Sequence, residues 1–200
     1  MLPDNVDALA AERVSHPWLD AKEVPVILAA GRLSEVKNYP LLLEAFARMR
    51  DERDACLMIL GDGESREEIE RLVAASPHAE AICLAGAVSN VFPYMRGADL
   101  LVLSSDAEGF GNVLVEAMAV GTPVVSTDCP FGPREILEDG KWGRLVPVGD
   151  ADALARAMSA ELGAPRNRSV SRARAFTVSA KAAEYDALAR VLMEERRGRP

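Results

Sequence analysis

The sequence has few residues of the kinds that build metal sites and disulfide frameworks. Its 200 residues include three cysteines and two histidines. Cys56, Cys83 and Cys129 are far apart and form no C-x-x-C pair, while His16 and His78 stand alone. This spacing excludes a zinc motif and favours a reducing, cytosolic compartment in which the thiols stay free.

Long apolar runs and aromatic residues are also scarce. No segment reaches the roughly 20 apolar residues of a membrane-spanning helix. Aromatic residues make up 5% of the chain against 49% hydrophobic residues, a composition typical of the aliphatic cores of parallel α/β sheets. The length suits one generous domain, or one domain with a small extension.

An excess of positive charge is absent as well. The net charge of −8 argues against nucleic-acid binding. Residues 166–200 nevertheless contain nine basic and four acidic residues, a net charge of +5 that leaves −13 for the first 165 residues. We expect a solvated helical surface in this basic segment; docking on another domain or on an acidic membrane surface is the alternative.

Strand-like apolar runs alternate with helical patterns along most of the chain. PVILAAGRL and ACLMILG, for example, precede YPLLLEAFARMR and ESREEIERLVAA, and the alternation repeats five or six times. Such continuously apolar strands predict an α/β fold with a doubly wound, Rossmann-like parallel sheet. We assign this domain to residues 24–164, an irregular lead-in or interdomain linker to residues 1–23, and a helical segment to residues 165–200.

Ligands of doubly wound sheets bind outside the carboxyl ends of the strands. The turns GRLSEVK, GDGES, GAVS, SSDAEGFGN and STDCPFGP follow the predicted strands and should therefore line one crevice. Arg32 and Lys37 lie in the first of these turns, where two cations can hold a diphosphate without a metal ion. They could also be ordinary loop charges, but their position at the crevice favours binding.

The strongest signal is the stretch SSDAEGFGNVLVEAMAVGTPVVS. Gly109 and Gly111 allow the backbone to approach a ligand closely, because neither has a Cβ atom. The helix that begins near Asn112 points its unpaired N–H groups into the crevice and forms a natural anion site. Asn112 and Glu116 share one helix face, where a carboxylate can accept hydrogen bonds from two ribose hydroxyls.

The two glutamates of this stretch also allow a structural interpretation. Glu108 could be a solvated loop acid, and Glu116 a surface residue of the helix. Glu116 lies within VLVEAMA, however, and a carboxylate with apolar residues on both sides needs a partner. We therefore expect Glu116 to bind a ribose and Glu108 to face the sugar beyond the phosphates.

Two other motifs are better explained by local structure. GDGESR (Gly61–Arg66) imitates a dinucleotide motif, but Arg66 occupies the third glycine position, which indicates a tight strand-to-helix turn. Asp150 and Asp152 match a metal-binding D-x-D pattern, yet they directly precede the helical pattern ALARAM. Aspartates at that place cap a helix.

At Glu108 and Glu116 the sequence resembles retaining glycosyltransferases of the GT-B type. The E-x7-E pattern and its surroundings look like glycosyltransferase family four, also called glycosyl transferase group 1. GRLSEVKNYPLLLEAFARM, LMILGDGESREEIERLV and DGKWGRLVPVGD extend the resemblance over roughly Val24 to Ala164. The joint order of these motifs makes the resemblance specific.

The resemblance implies a role for each matching residue. Arg32 and Lys37 match the cations on the donor diphosphate, Glu116 matches the acid on the nucleotide ribose, and Glu108 matches the donor-sugar contact. The loop Gly86–Val88 matches the segment that meets the base. The expected donor-binding residues are Gly31, Gly86, Ala87, Val88, Gly109, Phe110, Gly111, Asn112, Val113 and Glu116, with Glu108, Arg32 and Lys37 as catalytic residues.

The resemblance further implies transfer of a sugar from a nucleotide-sugar, most simply a UDP-sugar, with retention at the anomeric carbon. No metal and no cofactor are expected, and no residue stands out as a covalent nucleophile. Gly132–Leu137 (GPREIL) resembles a subgroup that moves hexoses or N-acetylhexosamines onto lipid-linked or polysaccharide acceptors.

Enzymes of the GT-B type have two Rossmann-like domains, and this sequence resembles only the carboxyl-terminal, donor-binding one. The missing partner is then the amino-terminal acceptor domain of the same protein. We expect the chain to bind the donor without turning it over efficiently. The expected location is the cytoplasm, with peripheral contact at the inner face of the membrane through the longer protein.

Two functions from other classes stay open. A nucleotide-sugar epimerase shares the GT-B architecture, although this sequence lacks the catalytic acids and histidines expected of one. A non-catalytic module that binds nucleotide-sugars would keep the donor site and transfer nothing.

Overall fold

A six-stranded, entirely parallel sheet forms the centre of the protein, in a computed structural model that describes residues 2–197. Its strands lie in the order β3-β2-β1-β4-β5-β6. This order confirms the doubly wound, Rossmann-like α/β fold. The strands are β1 (Val26–Ala30), β2 (Cys56–Leu60), β3 (Ile82–Gly86), β4 (Leu100–Leu103), β5 (Val124–Thr127) and β6 (Arg144–Val146).

Helices connect successive strands and cover both faces of the sheet. They are α1 (Val6–Ala10), α2 (Pro17–Asp20), α3 (Tyr39–Arg50), α4 (Arg66–Ala75), α5 (Phe92–Gly97), α6 (Asn112–Ala119), α7 (Pro133–Leu137), α8 (Ala151–Glu161), α9 (Val170–Arg174) and α10 (Val178–Arg197). Short 3₁₀ helices span Glu35–Lys37 and Ala79–Ala81. None of the helices in residues 2–197 combines the length and apolar composition needed to cross a bilayer.

The continuous apolar runs of the strands explain why two cores form. Neighbouring residues point to opposite faces of a strand, so Ile27 enters the core under α3 and α8, while Leu28 enters the core under α5 and α6. Both side chains are fully buried. Burial of one such side chain contributes about 1.5–3 kcal/mol, which favours a sheet covered on both faces.

The strand order reverses between β1 and β4, which are hydrogen-bonded neighbours at the centre of the sheet. Their connections to α3 and α6 leave in opposite directions, so a crevice opens at the carboxyl ends of these two strands. The β1–α3 turn and the β4–α6 turn, which contain most of the residues expected to bind a ligand, therefore face each other.

The D-x-D pattern caps a helix, as predicted. The side-chain Oδ1 of Asp150 accepts a hydrogen bond of 2.8 Å from the backbone N–H of Ala153 in the first turn of α8. Asp152 pairs instead with Arg48 on α3. Across residues 2–197, no three His, Cys, Asp or Glu side chains come together in a way that could hold a metal ion.

The expectation of irregular structure is wrong within residues 2–23, whereas their assignment as a lead-in or interdomain linker stays a prediction. They contain α1 and α2, and α1 packs on α5. Val6 and Ala10 are four residues apart and lie on one face of α1, where both are buried. Leu2 is also buried, and it forms an isolated parallel bridge with Thr177. The backbone of Leu2 also donates a 3.0 Å hydrogen bond to Phe176 O, which ties this segment to the carboxyl-terminal part of the chain.

The carboxyl-terminal segment is helical in α9 and α10, as expected. The prediction for residues 198–200 lies outside the described part of the chain.

Candidate functional site

A cavity of about 390 Å³ lies where the β1–α3 and β4–α6 turns meet. Most of the residues predicted to bind the donor line it. They are Gly31, Lys37, Glu108, Gly109, Phe110, Gly111, Asn112, Val113 and Glu116. Ala30 and Val91 complete the lining and were missed from the sequence, because neither carries a chemical group that distinguishes it from core residues.

Lys37 and Glu108 form an ion pair inside this cavity. Lys37 Nζ lies 2.5 Å from Glu108 Oε1, and the side chains are 21% and 8% exposed. The same carboxylate oxygen accepts a 2.6 Å hydrogen bond from Ser105 Oγ. The sequence predicted both charges at this site but not their contact, because 71 residues separate them.

The amino end of α6 opens toward the same cavity. Gly111 precedes the helix with a φ of +92°, a conformation that favours glycine. Gly109 differs, because a Cβ atom placed on it would meet no protein atom within 4 Å. The fold therefore requires Gly111 for its backbone conformation, whereas Gly109 leaves space that a ligand can occupy.

Glu116 lies one helical turn further into the site. Burial raises the pKa of the Glu116 carboxyl above its ordinary value. No hydrogen bond within residues 2–197 reaches this carboxylate. The Glu116 side chain is half-buried, so its carboxylate is partly desolvated, and binding of a ligand hydroxyl would offset the cost of that desolvation.

Tyr39 stabilises the β1–α3 turn. Its hydroxyl donates a 3.2 Å hydrogen bond to the carbonyl of Gly31. Burial, and secondarily the charge of Glu108, raises the pKa of the Tyr39 phenol. The phenol therefore keeps its proton and fixes the backbone of Gly31 at the cavity wall.

Arg32 is not brought to the cavity. Its side chain is 73% exposed and pairs with Glu64 at 2.9 Å in the neighbouring β2–α4 turn. That turn is GDGES, and it packs against the β1–α3 turn. A Cβ atom on Gly61 would lie 1.8 Å from Gly31 O, and one on Gly63 would lie 2.4 Å from Leu33 O. The glycines of this motif thus serve close turn packing, as predicted.

The loop expected to meet a nucleotide base lies beside the cavity rather than in its wall. Gly86 ends β3 with a φ of +79° and has open space on its Cβ side. Val88 packs against the core under α5. Neither residue, nor Ala87 between them, lines the cavity.

The GPREIL segment (Gly132–Leu137) packs against the glycine turn EGFG (Glu108–Gly111). A Cβ atom on Gly132 would lie 1.6 Å from Phe110 O, so the β5–α7 loop contacts the EGFG turn directly. The Phe110 ring in turn packs edge-on against Phe176, with 5.5 Å between centroids. The glycine turn is therefore held from two sides.

A second hollow, of about 490 Å³, lies between the edge strand β6 and α8. Its charged lining consists of Asp139, Arg144 and Arg156, and it contains none of the predicted site residues. An anionic ligand in the first cavity would contact Lys37, whereas one in the second hollow would contact Arg144 and Arg156.

The fold and the cavity together define a Rossmann-like domain with a ligand site at the point where the strand order reverses. The chain belongs to the family described as "Glycosyl transferases group 1", whose family model matches residues 24–163. This match confirms the resemblance seen in the sequence.

Named relatives agree with this assignment. The chain is 38% identical over 136 residues to the lipopolysaccharide core biosynthesis glycosyltransferase LpsE of Rhizobium meliloti, an alignment that covers 68% of this chain and 39% of LpsE. It is 35% identical over 178 residues to a Campylobacter jejuni N-acetylgalactosaminyltransferase named for a diphospho-undecaprenol substrate, with 85% and 48% covered.

A similar fold occurs in HepE of Anabaena, whose crystal structure contains UDP and glucose. The TM-score is 0.76 at 22% identity, and the match covers 94% of this chain and 53% of HepE. This chain thus spans about half the length, or less, of the proteins that it resembles.

Proposed function

We propose that this chain is the donor-binding half of a retaining glycosyltransferase that uses a nucleotide diphosphate sugar, most simply a UDP-sugar. The observation that carries the proposal is the Lys37–Glu108 pair at the amino end of α6, inside a cavity at the strand-order reversal. A cation and a helix amino end suit a diphosphate, and the two carboxylates suit the hydroxyls of a sugar and a ribose.

Lys37 and the amino end of α6 would act on the leaving group. Negative charge grows on the diphosphate as the glycosidic bond breaks, and both groups attract it. Removal of one such contact typically costs about 3 kcal/mol in the barrier. Arg32 could join them at little cost, because its pair with Glu64 is exposed to solvent and such surface pairs contribute little to stability.

Glu108 would orient the transferred sugar. Its Oε1 is already engaged by Lys37 and Ser105, which supports an orienting role over attack on the anomeric carbon. Glu116 would accept hydrogen bonds from the ribose, which satisfies a carboxylate whose burial raises its pKa. Retention without a covalent nucleophile then corresponds to attack from the face that the leaving group vacates.

The acceptor is the less defined part of the proposal. The named relatives act in lipopolysaccharide core biosynthesis and on an undecaprenol-linked substrate, which supports a cell-envelope glycan as acceptor. The expected hexosyl or N-acetylhexosaminyl transfer would need an acceptor domain. We therefore expect this chain alone to bind donor and to transfer sugar poorly or not at all, and we expect the longer protein to act in the cytoplasm at the membrane surface.

Titration calorimetry with UDP tests the proposal. We expect Lys37→Met to weaken UDP binding by about tenfold or more, because it removes a charge-assisted hydrogen bond worth about 1.5–3 kcal/mol. Glu116→Gln should weaken UDP binding by about fivefold, because the neutral amide that replaces the carboxylate makes weaker hydrogen bonds to the ribose.

Matched controls separate the site from general effects of charge removal. Lys22→Met removes a lysine whose 2.8 Å partner, Asp99, precedes β4 at the opposite edge of the sheet. Glu67→Gln removes an exposed carboxylate from α4. Unchanged affinity in Lys37→Met and Glu116→Gln, or equal losses in the controls, would contradict the proposal.

A further inference from the structure

Two buried serines directly after β4 form hydrogen bonds with Lys37 and Glu108. Ser104 is 3% exposed and Ser105 is fully buried. Ser104 Oγ donates a 2.8 Å hydrogen bond to the backbone carbonyl of Lys37, and Ser105 Oγ donates a 2.6 Å hydrogen bond to Glu108 Oε1. Consecutive side chains of an extended segment point in opposite directions, so one dipeptide reaches two different partners.

These bonds belong to a set that joins the two turns of the site. The backbone N–H of Asp106 donates to Val36 O at 2.9 Å, and Asn38 Nδ2 donates to Asp106 Oδ1 at 2.8 Å. The β1–α3 turn is thus fixed to the β4–α6 turn on both sides of Lys37.

Ser105 is itself held in place by the next strand. Thr127 Oγ1 at the end of β5 donates a 2.6 Å hydrogen bond to the carbonyl of Ser105. Thr127 is also fully buried. Because its backbone is fixed, the Ser105 hydroxyl has a defined position from which to hold one carboxylate oxygen.

The two carboxylate oxygens of Glu108 therefore have different surroundings. Lys37 and Ser105 both bind Oε1, and nothing in the described part of the chain hydrogen-bonds Oε2. Glu108 lines the cavity. A carboxylate held through one oxygen presents the other in a fixed direction, where it can accept a hydrogen bond from a ligand hydroxyl.

We propose that Ser104 and Ser105 are positioning residues: Ser104 places Lys37 for the diphosphate, and Ser105 places Glu108 for the donor sugar. The inference rests on the proposed function, since it needs a ligand with both parts. It adds two residues that touch neither the sugar nor the phosphates and act through their neighbours.

The test measures the affinities for UDP, UDP-glucose and UDP-N-acetylglucosamine by calorimetry with the whole 200-residue chain. The readout is the ratio of each UDP-sugar affinity to the UDP affinity, which isolates the sugar contact. We expect Ser105→Ala to lower this ratio at least about fivefold and to leave UDP affinity within about twofold, since one hydrogen bond to a charged group is lost. Ser104→Ala should instead weaken UDP about threefold or more and leave the ratio unchanged.

Ser126→Ala is the matched control. Ser126 is fully buried in β5, and its hydroxyl bonds the carbonyl of Thr127 at 2.8 Å, away from the charged pair. A purely structural role for Ser104 and Ser105 would give all three variants similar losses of melting temperature and no selective change in affinity, which would overturn the inference.

The unaltered chain separates the remaining outcomes. If it binds UDP but gains nothing from the sugar of either donor, the assignment of Glu108 and Ser105 to the sugar is overturned while the nucleotide site stands. If it binds no nucleotide at all, the proposed function fails and the inference fails with it.

Discussion

Replacement of Lys37 by methionine should destabilise the fold more than replacement of its partner Glu108 by glutamine. The Glu108 side chain is 8% exposed, and without Lys37 its carboxylate would keep only the hydrogen bond from Ser105 among the partners in residues 2–197. Loss of one partner from a fully buried pair costs about 3–5 kcal/mol. Because Lys37 is itself 21% exposed, water can partly replace it, and we expect a loss of about 2–3 kcal/mol.

Glu108→Gln should be milder, at about 1 kcal/mol or less. The amide oxygen of glutamine still accepts hydrogen bonds from Lys37 and Ser105, and the remaining ammonium group can reach water. The double variant should therefore recover most of the stability that Lys37→Met loses, because it removes the unpaired charge.

Urea denaturation of the four proteins measures these differences as a double-mutant cycle. Lys22→Met is the control, since the pair of Lys22 with Asp99 is about one-third exposed and should contribute about 0–1 kcal/mol. Equal losses in Lys37→Met and Glu108→Gln, or no recovery in the double variant, would refute the reasoning.

Three further predictions concern single positions. At pH values above the raised pKa of the native Glu116 carboxyl, Glu116→Gln should stabilise the fold. This gain should vanish as the pH falls below the ordinary glutamate pKa of about 4.3. Thermal unfolding at pH 4–8 measures the effect. Gly109→Ala should keep the melting temperature yet weaken UDP binding, whereas Gly132→Ala should lower both, because only the second Cβ atom meets protein, at 1.6 Å from Phe110 O. Asp150→Ala should cost about 1 kcal/mol in urea denaturation through loss of the α8 cap.

The fold was predictable because each strand is continuously apolar. Only a sheet covered on both faces accepts the run Val26–Ala30, and that pattern implies the parallel, doubly wound topology. The helix Tyr39–Arg50 was predicted with the bounds that the structure gives it. The two helices before β1 were missed because each spans only four or five residues, too few to show a helical period in the sequence. Their stability comes from packing on α5 and from contact with the carboxyl-terminal segment.

The candidate site was predictable as a place and only partly as an arrangement. The carboxyl-end rule brought the turns of Lys37 and Glu108 to one crevice. The rule could not anticipate that Glu64, one turn further along the sheet, pairs with Arg32 outside the cavity. Such a contact depends on how two turns pack, which residue spacing does not encode.

The hydrogen bond of Ser105 is a second contact that the sequence could not predict. A serine after an apolar strand is an ordinary strand end, and its fully buried hydroxyl bonds a charge three residues away only in the folded turn. Its position at the carboxyl edge of a central strand was the available signal, and on its own it did not specify the partner.

The central claim is that the cavity at the strand-order reversal binds the nucleotide, and a UDP titration followed by amide NMR tests it most directly. The account predicts that the largest shift changes occur at Lys37 and at the amides of Gly109–Asn112. Changes centred on Arg144 and Arg156, beside the second hollow, or no changes at saturating UDP, would contradict it.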